Sequence, residues 1–82
     1  MTKAQLFEFL ASIARSEGGE AREAQYLLPY IKGLKKGEFK EKIEARIRHL
    51  ESLIEEEPFY RKLRKGMLET DRKILERIFD WR

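Results

Sequence analysis

Apolar side chains recur at three- and four-residue steps along almost all of this 82-residue chain, and nowhere do they alternate with a period of two over a useful length. That pattern lines one side of a helix and gives a strand no face to bury. Valine is absent and β-branched residues are few, so a sheet has little to be built from. The prediction is an all-α protein: one helical domain over residues 1–82, a compact bundle of four to five short helices with antiparallel or orthogonal neighbours.

The first helix is expected over residues 3–16. Thr2 precedes Gln5 at the capping-box spacing, and Leu6, Phe7, Phe9, Leu10, Ile13 and Ala14 cover nearly half the cylinder. Gly18 and Gly19 are read as its stop. A second helix starts near Glu20, with Glu20 and Glu23 placed against the positive end of its dipole. Pro29 should kink or restart it, and Gly33 and Gly37 should close it. The third helix, over residues 38–55, carries the stripe Phe39, Ile43, Ile47, Leu50 and Ile54. Residues 59–81 admit one helix or two. One helix puts Asp71 inside its apolar stripe, beside Tyr60, Leu63, Met67, Ile74, Ile78 and Trp81, which is costly for a carboxylate without a partner. Two helices, divided at Gly66 and restarted at Thr70 or Asp71, avoid that cost, and the division is preferred.

A core this small needs reinforcement, and the absence of cysteine excludes disulfides and thiolate metal sites. Charged residues are 40% of the chain, with no Asn and only Gln5 and Gln25 as amides. Dense Glu, Lys and Arg with few amides is the composition of heat-adapted proteins, so a thermophilic source is expected. No stretch is apolar for the roughly 18 residues that a spanning helix needs, and Met1, Thr2, Lys3 and Ala4 do not open a signal peptide. The expectation is a cytoplasmic protein with no membrane partner.

Catalytic chemistry finds no constellation. His49 lies on the polar flank of the third helix with no ligand at zinc spacing. Glu55, Glu56 and Glu57 are consecutive and project 100° apart, so they do not converge on a cation. Gly18 and Gly19 lack the sequence that follows in a phosphate loop, and Ser12, Ser16 and Ser52 have no partner base nearby. No enzyme, cofactor, metal or small-molecule substrate is expected.

Two binding roles remain. Lys and Arg exceed Asp and Glu by eight to four in residues 58–82, against seven to seven in 32–57 and three to four in 1–31. Arg61, Lys62, Arg64, Lys65, Arg72 and Lys73, with Lys35 and Lys36 as a second cluster, are therefore the candidates for DNA phosphates. A helix-turn-helix trace at Ala14, Gly18, Ala24 and Leu27 would make the second helix the reader, although Glu20 and Glu23 at its opening repel phosphates. The clusters also have a structural explanation. They precede Gly37 and Gly66, where cations in a last helical turn would stabilise its negative end. The alternative role is protein association, as an adaptor or homodimer, through Phe7, Phe9, Tyr26, Tyr30 and Trp81.

Overall fold

The computed structural model describes residues 2–78, which form four α-helices and one 3-10 turn, with no strand among the described residues. The helices are α1 (Lys3–Ala14), α2 (Gly18–Gly33), α3 (Lys36–Glu56) and α4 (Arg61–Ile78), and the turn is Pro58–Tyr60. No helix is long and apolar enough to cross a membrane.

The capping box is present at α1: the Gln5 amide donates to the Thr2 hydroxyl at 3.2 Å and the Thr2 amide to the Gln5 side chain at 2.8 Å. Two of the expected stops prove to be starts. Gly18 opens α2 with φ +82°, a conformation glycine adopts without strain, so the glycine pair begins the second helix. Gly37 lies in the first turn of α3, which Glu38 caps by accepting from the Lys35 amide at 2.9 Å. α2 runs through Pro29 without a restart. Proline supplies no amide to the Gln25 carbonyl, but both residues are exposed, so water can serve that oxygen.

Lys3 Nζ donates to the Lys32 carbonyl and Gln25 to the Ala14 carbonyl, so α1 and α2 run in opposite directions. The core is built from Leu6 and Leu10 of α1, Ala24, Leu27 and Ile31 of α2, Phe39 and Ile43 of α3, and Ile74 and Ile78 of α4. Leu50 is also buried on the α3 stripe, while Ile47 and Ile54 at its edges are half-buried.

The last segment is a 3-10 turn followed by one unbroken helix, and the preferred division at Gly66 does not occur. Gly66 stays helical because it faces α2, where a Cβ would lie 3.4 Å from the Glu20 amide nitrogen. Gly19 is tighter still, since a Cβ there would meet the Leu63 carbonyl oxygen at 1.9 Å. The two glycines are where α2 and α4 cross with backbones nearly touching. The Thr70 hydroxyl donates back to the Gly66 carbonyl at 3.0 Å and so needs no capping role. Asp71 is consequently buried in the stripe after all.

Candidate nucleic-acid interface

All eight exposed positions of α4 are charged, six Lys or Arg against Glu69 and Glu76. The eleven exposed positions of α3 carry the opposite balance, Lys36 and Arg48 against five Glu. Hairpin neighbours therefore present faces of different sign.

Arg61, Lys62, Arg64 and Lys65 occupy the opening turns of α4, not the close of a preceding helix, and no acidic residue lies in that first turn. Lys35 and Lys36 likewise stand at the N-terminal end of α3. Cations at the positive end of a helix dipole are opposed by it, so end-stabilisation does not account for either cluster. Arg64 and Arg72 are both engaged within the molecule. Arg64 is half-buried, 3.2 Å from Glu57 and 3.5 Å from the Leu53 carbonyl, with its guanidinium over the Tyr60 ring. Arg72 lies 4.0 Å from Glu51, both side chains more than half exposed, a geometry of little strength in water. Lys65 and Arg72 line a groove with Glu51, Glu55 and Glu69. Arg61, Lys62, Lys65 and Lys73 make no ion pair among the described residues.

The aromatic candidates are mostly committed within the molecule. Phe7 and Phe9 are half-buried against the core, Phe7 beneath the Lys32 ammonium and Phe9 beneath the Arg77 guanidinium at 4.1 Å. Tyr26 and Tyr30 are 38% and 37% exposed and stack edge-on at 5.5 Å. Lys42 of α3 reaches between them, 3.8 Å from the Tyr30 ring centre and 3.1 Å from the Tyr26 hydroxyl. That hydrogen bond draws the Tyr26 phenol below its ordinary value of 10. Trp81 lies outside the described residues.

Two features escaped sequence reasoning. The first is a polar seam where α2, α3 and α4 meet. Arg46 Nη2 donates to Glu23 Oε1 at 2.6 Å and Nε to Oε2 at 3.1 Å, a bidentate pair, while the guanidinium packs on Tyr26 at 4.5 Å. Glu23 is fully buried and therefore neither meets solvent at the α2 opening nor repels a phosphate there. Against it lies the fully buried Asp71, whose two oxygens meet no donor. Two carboxylates cannot hydrogen-bond each other, but a carboxylic acid can donate to a carboxylate. Burial, then the neighbouring Glu23, push the Asp71 carboxyl up to about 9, so it keeps its proton at neutral pH and donates to Glu23. The spacings i, i+3, i+7 of Glu23, Tyr26 and Tyr30 and i, i+4 of Lys42 and Arg46 are the only trace of this ladder in the sequence.

The second is the corner between α3 and α4. Phe59 is 88% exposed, and Tyr60, expected on the inner stripe, is half exposed. Their rings meet nearly perpendicular at 5.1 Å. The 3-10 turn displaces both residues from the helical register that the stripe assumed. His49 is exposed, and among the described residues no cluster of side chains is arranged to hold a metal ion. A scan of protein-family models, a search of curated proteins and a search of solved structures each find no match to the chain.

Proposed function

We propose that the chain is a non-enzymatic module that binds nucleic acid through the solvent face of α4. The observation that carries this reading is the crowd of cations at the opening of α4, against the helix dipole and without ion pairs for Arg61, Lys62 and Lys65 among the described residues. Folding gains nothing from that arrangement, whereas a polyanion does, by releasing its condensed counterions. Arg61, Lys62, Lys65 and Lys73 are the principal phosphate contacts. Arg72 supports them, and Arg64 serves the corner. Lys35 and Lys36 lie at the opening of α3 and extend the basic surface only if the bound strand is long enough to reach them.

The test is an electrophoretic mobility shift with labelled duplex and single-stranded DNA at two salt concentrations. With about four phosphates neutralised, affinity should fall roughly a hundredfold between about 50 and 200 mM salt. Absence of any shift at the lower concentration rejects the reading. Protein association is the second reading, and Phe59 is the residue that favours it. Its test is light scattering, where a dimer at high protein concentration is the expected result.

A further inference from the structure

We propose that the corner at Phe59, Tyr60 and Lys62 is a seat for an unpaired nucleobase, so that the strand taken along α4 is single-stranded DNA or RNA. This rests on the reading of α4 as a phosphate-binding face and gives that face its substrate class.

Phe59 stands 88% exposed on a turn whose backbone Pro58 constrains, a poor use of a large apolar ring in an isolated molecule. Beside it, Tyr60 is braced. Arg64 lies over its ring at 5.3 Å and is itself held by Glu57 and the Leu53 carbonyl. The two perpendicular rings form one wall of an open hollow of 420 Å³, completed by Gly18, Gly19, Lys62 and Leu63. Its glycine side carries no side chains. Gly18 has open space around it and a positive φ that other residues adopt only with strain. A flat ring entering the hollow meets bare backbone at Gly18 and the aromatic wall of Phe59 and Tyr60.

The occupant follows from what surrounds the hollow. Lys62 stands at its rim, and Lys73, eleven residues on, projects from nearly the same side of α4 about 16 Å along the axis. A flat π-system attached to a line of negative charge matches that arrangement. A base inside a duplex offers no free face to a single protruding ring, whereas an unpaired base does. A second copy seated two-fold on this corner fits poorly, because it would set one basic α4 face against another.

Fluorescence anisotropy at about 50 mM salt decides it, using an oligothymidylate of about a dozen nucleotides, an abasic strand of the same length, and a duplex. The wild type should bind the thymidylate about tenfold more tightly than the abasic strand. Phe59→Ala should bring the thymidylate down to the abasic level while leaving abasic binding and the unfolding midpoint unchanged. Phe59→Leu, which keeps the apolar bulk and loses the π face, should behave as Phe59→Ala. Equal binding of thymidylate and abasic strands, or preference for the duplex, overturns the seat and leaves the α4 reading standing. No binding of any strand removes both. A dimer seen by light scattering and lost in Phe59→Ala overturns the seat in favour of self-association.

Discussion

Asp71 and Phe59 stand twelve residues apart on consecutive elements, and each occupies the environment the other would be expected to take. Asp71 is a carboxyl with no exposed surface, and Phe59 is an aromatic ring almost wholly in water. The difference lies in what surrounds them. Asp71 has a buried carboxylate to donate to and an arginine behind it, so its apparent misplacement is resolved inside the molecule. Phe59 touches Tyr60 and an open hollow, and beside it stand Arg61 and Lys62, which make no ion pair among the described residues. In the binding proposed for this corner, its misplacement is resolved by a base from outside. A residue out of place is a statement about folding when its partners are present, and about binding when they are not.

That contrast is broken most forcefully at the seam. Arg46→Ala leaves Glu23 buried with no cation and should cost about 3–5 kcal/mol in urea unfolding. If it costs under about 1 kcal/mol, the seam does not hold the helices together. The next effect is on pH. The unfolded Asp71 carboxyl loses its proton near pH 4, while the folded one keeps it to about 9. Between those values the folded state binds the extra proton. This contribution is therefore full below about pH 4 and declines as pH rises towards 9, by up to about 1.4 kcal/mol per pH unit. Asp71→Asn, which donates without titrating, should flatten the decline. An unchanged pH profile in that variant would place the proton elsewhere.

Smaller effects sharpen the comparison at the crossing and the corner. Gly19→Ala pushes a methyl into the Leu63 carbonyl and should lower stability by about 2 kcal/mol. Gly66→Ala meets ordinary contact distances and gains helix propensity, so it should be neutral or stabilising by under about 1 kcal/mol. Thermal melts of the two variants check this, and equal losses would mean that the helices at the crossing yield to a methyl at either glycine. Lys62→Glu should raise the melting temperature slightly, because it replaces an opposed charge with a favoured one, about 0.3–1 kcal/mol. The same variant should weaken nucleic-acid binding. Phe59→Ala should change stability by less than about 0.5 kcal/mol.

Local chemistry made much of the helical plan legible. Thr2 and Gln5 announced the start of α1, and Phe39, Ile43 and Leu50 announced the buried side of α3. What was hidden depended on partners far along the chain. Gly66 reads as a stop unless Gly19, 47 positions earlier, is known to press against it. Asp71 reads as too costly to bury unless Glu23 and Arg46 are known to meet there. The basic clusters reversed meaning with the helix boundaries. The same lysines are favourable at the end of one helix and unfavourable at the beginning of the next. Phe59 could not be found by periodicity, because the turn carrying it is not in register with the helix that follows.

The crossing of α2 and α4 also sets how this chain can change over generations. Position 19 admits one amino acid of the twenty without moving a backbone, and the carbonyl that forbids the others belongs to the residue beside the corner. Drift there would shift the first turn of α4, and with it the ring at Phe59. The outer surface of α4 can vary freely in sequence while charge is kept, but its anchorage cannot.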